Sequence, residues 1–524
     1  MSGPCESIHQ RLRLAVLGVC CALGLAGCAT QLAVGPDYEA PDAAAVLSAD
    51  RWQAALPHDG TSRALLDWWQ SFNDPVLDEL LRQAEADSPT LAEAVARIDE
   101  ARSALTASGA SHWPQLGIEG HAMRNNGSAD FPLPSPTTTR GVTVDAQWEI
   151  DLFGRVRRST EAARARLASS EHGWHAARIS LAAEVAGKYV GYRACQLTLR
   201  TIAADLGSRE ETARIVDLAA KGGISAPADA QLAKAGAADT AGFHAAQQAA
   251  CLLTRKSLVT LTGLPEERLA QLLDARDGTG TQAQAAPPGL PVPAAFRVDS
   301  LPVALLAQRP DLAAAERQLA AASADVGVAT ANRYPRLALV GNLTRDRANI
   351  AGTDVLSKPW FFGPSLTLPL FAGGALAAQQ DAAQARHAQA YARYRQAVRG
   401  AIEEVEGTLV NLEAARQRSQ HARIASQGFR GYFKAAEQNW RAGGISLLAL
   451  EDARRLATAA ERNEIALQRD HILGWIALYK ALGGGWQAVP SAPATPPAAD
   501  TADAPDTRAD GNEPPAAQDA GVTP

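Results

Sequence analysis

Few side chains in this 524-residue sequence stand at spacings that do chemistry. His172 and His175 lie three residues apart, as two metal ligands on one helix face would. A third ligand at a fitting spacing is missing, so they read as surface histidines on an alanine-rich helix. Cys195 and Cys251 belong to no C-x-x-C or Cys/His metal pattern. They can pair in an oxidising compartment or remain separate buried thiols, and the sequence leaves both open. There is no phosphate-cradling P-loop and no Gly-x-Ser-x-Gly nucleophile turn. The expectation is a chain that does no catalysis and carries no cofactor.

A different thiol chemistry belongs to Cys28. Arg11 and Arg13 precede an apolar stretch from Leu14 to Leu25, which ends in Leu25-Ala26-Gly27-Cys28. A basic start, a short apolar core and small residues before the cut describe a secretory leader, and the stretch is too short to span a bilayer. Leu-Ala-Gly-Cys resembles the bacterial lipobox, in which the thiol is lipidated and becomes the new N-terminus. Residues 1–27 are therefore expected to be a lipoprotein signal peptide and Cys28 the lipid attachment point; the plainer alternative is an ordinary leader with an incidental cysteine. Ala29 follows in place of an aspartate, which favours sorting to the outer membrane. Cleavage removes Glu6, Arg11 and Arg13, one acid and two bases, and takes the net charge from -6 to -7.

Composition narrows the partners. The chain is 20% charged, 5% aromatic and net acidic, which argues against a nucleic-acid partner wanting a basic face. After the leader there is no run of about 18 or more apolar residues, so a membrane crossing would need a closed β-barrel.

The elements that must position these residues come in two copies. Ser88-Pro89-Thr90-Leu91 matches Arg309-Pro310-Asp311-Leu312, a displacement of 221 residues. The same displacement relates Trp113-Pro114-Gln115-Leu116 to Tyr334-Pro335-Arg336-Leu337, Gly120 to Gly341, and Gly223-Ile224-Ser225 to Gly444-Ile445-Ser446. Each copy reads as a helix (about 89–111 and 310–333) stopped by Pro114 or Pro335, then two strands, a very long helix, a Gly-Gly-Ile-Ser break with serine as a natural N-cap, and a final helix.

In Val142 to Ile150, apolar Val142, Val144, Ala146, Trp148 and Ile150 alternate with Thr143, Asp145, Gln147 and Glu149. Trp360 to Leu370 alternates likewise, and the connections around 124–140 and 345–358 are polar. Such strands suit either a soluble sandwich, apolar face inward, or a membrane barrel, apolar face to lipid. Two hairpins supply four strands, too few to close a barrel; barrels start at about eight, so a barrel would be shared among subunits. Arg155 to Lys221 and Gly374 to Gly443 contain no proline and would each make a helix of about 100 Å. Val398, Ile402, Val405, Leu409 and Leu412 form a narrow coiled-coil-like seam. This fits a soluble coiled-coil stalk or a hollow barrel of helices. Val34 to Pro41 reads as an extended tether, and 487–524, rich in Pro, Ala, Asp and Thr, as a disordered tail.

From Cys28 to Trp486 the sequence resembles the TolC/OprM-type outer-membrane efflux proteins, in their lipoprotein branch. The marks are Gly35-Pro36-Asp37-Tyr38, Trp68-Trp69-Gln70-Ser71-Phe72-Asn73-Asp74-Pro75, Trp148 to Arg155, Gln308 to Leu312, Phe362 to Ser365 with Leu370 to Gly374, and Leu478 to Trp486. The resemblance implies a mixed α/β membrane protein: a homotrimer whose β-barrel, four strands per protomer, sits in the outer membrane of a Gram-negative bacterium and continues into a long periplasmic α-helical barrel. Its segments would be the signal peptide 1–27, a tether and equatorial segment 28–87, repeat 1 at 88–290, repeat 2 at 301–486 and the tail 487–524. It implies a passive duct for small molecules, drugs or other toxic compounds, served by a periplasmic membrane-fusion adaptor and an inner-membrane RND-type transporter. A type I protein-secretion exit duct and a non-conducting periplasmic coiled-coil lipoprotein are the alternatives. By position, Leu448 and Asp452 match the leucine and aspartate that close the periplasmic end in OprM-like members, although Glu451 departs from the usual apolar residue. The corresponding count in the first copy sets Asp229 against Leu450, so Asp229 is given no gate role.

Overall fold

The computed structural model describes residues 33–41, 65–125, 137–275, 289–296, 308–350 and 352–486. The expected leader, Cys28 and the C-terminal tail lie outside the described residues.

A 3₁₀ segment, Leu65–Phe72, precedes helices α1 (Pro75–Asp87) and α2 (Pro89–Ala110). Both helices start on a proline, whose missing N–H costs nothing there, behind a side chain that caps the next free amides. Asp74 accepts from the Val76 N–H and Ser88 from the Leu91 N–H. The chain then forms β1 (Gln115–Asn125), β2 (Thr137–Ile150), α3 (Arg155–Lys221), α4 (Pro227–Thr262) and α5 (Glu266–Ala275). A second series follows: α6 (Pro310–Ala331), β3 (Arg336–Ile350), β4 (Thr353–Ser357), β5 (Trp360–Thr367), α7 (Ala375–Arg441) and α8 (Leu447–Ala481). The long helices α3 and α7 have 67 residues each, about 100 Å at 1.5 Å per residue, as the proline-free stretches predict. No helix among the described residues is long and apolar enough to cross a membrane.

The strands run past their expected limits. β2 begins at Thr137, not Val142, and the polar 345–358 segment is mostly strand rather than connection. Polar side chains there do not signal a loop, because backbone pairing with a neighbour holds the segment extended. The sheet is an antiparallel meander, β1-β2-β3, with β4 and β5 both on the far edge of β3. The expected four strands are thus five elements in four lanes. The register continues from β4 into β5: Asp346 faces Ser357, Leu343 faces Trp360, and the Thr344 N–H donates to the Pro359 carbonyl at 2.9 Å. Pro359 has no N–H to return, which divides the lane, and an edge tolerates it.

Strand gives way to long helix at matching turns. Gly154 and Gly374 sit at φ +83° and +84°, where a side chain would be strained. At the first turn the Asp151 carboxylate accepts from the Val156 and Arg157 N–H groups, and Glu149 binds Arg155 through two bonds of 2.8 and 2.7 Å. The Gly-Gly breaks end both long helices, but the serines differ. Ser446 caps α8 by accepting from the Ala449 N–H, whereas Ser225 turns to Asp229 and Ala226 holds the N-cap position of α4 without a side-chain bond. Pro227 explains the shift: it fixes the first residue of α4 one position later than the serine would.

The main core joins segments far apart in sequence. Trp68 is 1% exposed, stacks on Tyr479 at 5.1 Å, meets Phe296 edge-on and donates to the Ala294 carbonyl at 3.0 Å. Asp74, also buried, accepts from the Tyr189 hydroxyl at 2.7 Å. Val405, Leu409 and Leu412 of the predicted seam enter this core with Trp475 and Ile476 of α8, while Val398 packs in a second cluster with Leu312 and Leu319 of α6. Val34 to Pro41 forms no regular element and bends at Gly35, φ +94°, with the Val34 N–H on the Phe153 carbonyl and the Tyr38 hydroxyl on Glu316.

Candidate functional site

The sheet has two chemically distinct faces, and the register fixes them. One carries Leu116, Ile118, Val142, Val144, Trp148, Leu339, Leu343, Trp360, Phe362 and Leu366, because these are cross-strand partners or two-residue neighbours. Leu116, Ile118, Trp360, Phe362 and Leu366 are among the exposed large apolar residues, and every residue of β1 except His121 is exposed. A sandwich would cover that face; here the sheet is one layer of the described residues, so the soluble-sandwich option lacks its second sheet.

The other face carries the acids Glu119, Asp145, Glu149 and Asp346, with Thr143 and Thr344 bonded at 3.0 Å, and among them the exposed apolar Met123, Val355 and Phe361. His121 and Asp346 belong to strands on either side of β2, yet their side chains approach to 3.4 Å across Gly141. A Cβ on Gly141 would stand 1.7 Å from the Asp346 carboxylate, so this glycine is what lets the pair form.

At the start of α8 the structure separates two helix faces. Leu447 and Leu450 are buried against Ala213 and Val216 of α3 and Ala230 and Ala233 of α4. Leu448 points elsewhere and is 60% exposed. Asp452, one turn on, shares its side of the helix, as a spacing of four requires. Both line a groove with Leu232, Thr240 and Phe243 of α4. Asp452 pairs with Arg455 at 2.9 Å, both side chains being more than half exposed.

Glu451, next to Asp452, has a role the sequence did not disclose. It binds Arg209 of α3 at 2.6 Å and Arg454 of its own helix. Arg209 also binds Asp205 at 3.0 Å, and Arg454 donates to Ser208 and Thr212 at 3.0 and 3.1 Å. The four charged side chains are between 3% and 16% exposed. Burial pushes the Arg454 guanidinium below its ordinary range despite Glu451 beside it. The group clamps the start of α8 to α3, directly behind Leu448 and Asp452. Its sequence trace is two local pairs, Asp205/Arg209 and Glu451/Arg454, on separate helices; nothing in the sequence says that the helices meet there.

His172 and His175 are half-buried rather than surface residues, with ring centroids 5.2 and 5.9 Å from that of Trp486. Burial lowers both pKa values. Cys195 and Cys251 form a disulfide joining α3 to α4, an outcome the sequence left open. Asp229 accepts from Ser225 at the head of α4, a local turn contact. Among the described residues no group of three or more His, Cys, Asp or Glu side chains could hold a metal.

A continuous sheet, apolar on one side and acidic on the other, joined to paired 67-residue helices, is an arrangement for lining a passage. Comparison with known proteins agrees. Residues 80–264 and 301–484 both match the family model described as outer membrane efflux protein. The chain is 30% identical over 456 residues to the pyoverdine export outer membrane protein OpmQ of Pseudomonas putida, covering 83% of this chain and 92% of that one. It is 30% identical over 478 residues to outer membrane protein OprJ of Pseudomonas aeruginosa, covering 89% and 94%. Among solved structures, the outer-membrane channel OprN superposes with a TM-score of 0.74 at 30% identity, over 87% of this chain and all of that one.

Proposed function

This chain belongs to the outer membrane efflux protein family, a family of channels rather than enzymes, and from that premise we propose how its geometry forms the duct. It is an outer-membrane channel component of an efflux system. Three copies close a twelve-lane barrel, because four lanes leave two open edges, β1 and β4/β5, and a strand edge must be paired or covered inside a membrane. Pairing β1 of one copy with β5 of the next is a head-to-tail contact that closes after three. The exposed apolar face meets lipid, and the acidic face lines the lumen. The observation that carries this is the single-layer sheet with its two-residue segregation of apolar from acidic side chains.

The organisation into two copies, 88–290 and 301–486, is supported by the recurring element order and by the two family matches. Lipidation at Cys28 anchors the N-terminus, and the tether from Val34 is held against α3 through Asp37 and Arg158 and against α6 through Tyr38 and Glu316. A periplasmic membrane-fusion adaptor and an inner-membrane RND-type transporter supply the cargo and the energy. The cargo class is small molecules, as the name of the pyoverdine-exporting relative indicates for that protein. At the helical end, three Leu448 side chains form an apolar constriction and three Asp452 carboxylates a cation-favouring ring. Single-channel recording in planar bilayers tests this. Native trimers should be nearly silent, and Leu448→Ala/Asp452→Ala trimers should conduct strongly. High conductance in both would reject the gate; none in either, from confirmed trimers, would reject the duct.

A further inference from the structure

The apolar face of the sheet ends in a band of cations. Past Leu343 and Trp360, that face presents Arg345, Arg347, Lys358, Arg140 and Arg124, all exposed. Arg140 stands directly opposite Arg347, and Arg345 opposite Val142 next to it. Like charges at directly opposed positions repel, and among the described residues the face offers them one carboxylate, Asp354, which Arg347 and Asn349 already hold. The opposite face, one residue out of step, carries the acids instead. Such a segregated cluster calls for an external anion.

Its height identifies the anion. From Trp360 to Leu370 the chain takes ten residue-to-residue steps, roughly 33 Å if extended, which at a tilt near 40° rises about 25 Å, the height of the lipid-facing band of an outer-membrane barrel. Trp360 and Phe362 lie at one end of that stretch and exposed Leu370 and Phe371 at the other. The latter end adjoins the turns out of α2 and α6 and into α3 and α7, so the cations lie at the end remote from the helices. We infer that this cluster binds the phosphate groups of a phosphorylated glycolipid in the outer leaflet. Arg guanidinium forks suit phosphate oxygens, and the lipid's acyl chains would lie on the apolar band directly below. The inference rests on the barrel reading above, which sets this face toward lipid.

The test uses purified full-length trimers in detergent and native mass spectrometry with three probes: diphosphorylated lipid A, its dephosphorylated form, and phosphatidylglycerol. The diphosphorylated form should bind about a hundred-fold tighter than the dephosphorylated one, with affinity falling as salt rises. Arg140→Gln/Arg345→Gln/Arg347→Gln should lose that preference, and Glu119→Gln on the acidic face should keep it. If the triple variant does not assemble, Arg345→Gln alone should weaken binding several-fold. Equal binding of phosphorylated and dephosphorylated forms, equal binding of phosphatidylglycerol, or an unchanged arginine variant would each overturn the proposal. Bilayer conductance of the same preparations is read in parallel: conducting trimers that ignore the glycolipid defeat this inference and leave the duct standing, whereas non-conducting wild-type and gate-variant trimers defeat the duct itself.

Discussion

Substituting Glu451 by alanine removes the centre of the clamp behind the proposed gate. The change leaves Arg454, 2% exposed, with its hydroxyl partners Ser208 and Thr212 and with Asp205 4.0 Å away, while Arg209 keeps Asp205. Removing one partner of a fully buried ion pair costs about 3–5 kcal/mol because a charge stays behind unpaired. Glu451 is 16% exposed and both arginines retain other partners, so the cost here should be lower, about 2 kcal/mol. If the clamp exists in the closed arrangement alone, about 2 kcal/mol multiplies the population with α8 released from α3 by roughly 30. Amide hydrogen exchange should therefore speed up by about that factor from Leu450 to Ala457, with the Trp68 core unchanged. Channel openings should become more frequent in the same proportion. Glu451→Gln, which keeps the shape and an acceptor oxygen, should give a smaller effect in both assays. Exchange at Leu450 to Ala457 indistinguishable from wild type in the alanine variant would refute the reasoning, since the clamp would then contribute nothing to holding α8.

Two further outcomes are expected. His172, His175 and His471 all have pKa values lowered, chiefly by burial, so the unfolded chain binds protons that the folded one resists. Their contribution is complete above the ordinary histidine pKa of about 6.5 and is lost as pH falls through the folded values; the thermal midpoint should drop over that window, and replacing the three by glutamine should flatten it. The Cys195–Cys251 bridge closes 56 residues of chain, which on chain-entropy grounds contributes up to about 4 kcal/mol. Cys195→Ala/Cys251→Ala should therefore unfold at a markedly lower temperature and become insensitive to reductant, whereas an equal response of wild type and variant to reductant would mean that the bridge is not formed.

Much of the architecture was legible because it rests on local chemistry. Prolines 114 and 335 stop helices, Gly-Gly ends them, absence of proline over more than sixty residues permits α3 and α7, and two-residue alternation marks β2 and β5. The repeat at a fixed displacement is a property of the letters themselves. The spacing of Leu448 and Asp452 placed them on one side of a helix before any coordinates did.

What the tertiary structure decided depends on pairs distant in sequence. Arg345, Asp346, Arg347 and Asn349 lie in a strand because β2 supplies the pairing partners of that segment, not because of their own preference. His172 and His175 are half-buried because Trp486, over three hundred residues later, comes to rest against them. Cys195 meets Cys251 because α3 and α4 pack side by side, and no spacing rule could choose between pairing and separation. Glu451 looked like a departure from a pattern, and its meaning lies in Arg209 on another helix. The cation band is of the same kind: Arg124, Arg140, Arg345, Arg347 and Lys358 are scattered through the chain, and the register of four lanes gathers them on one face at the same end of the sheet. Periodicity states which side of its own strand a residue occupies; which strand lies beside it, and at what height, is fixed by long-range pairing alone.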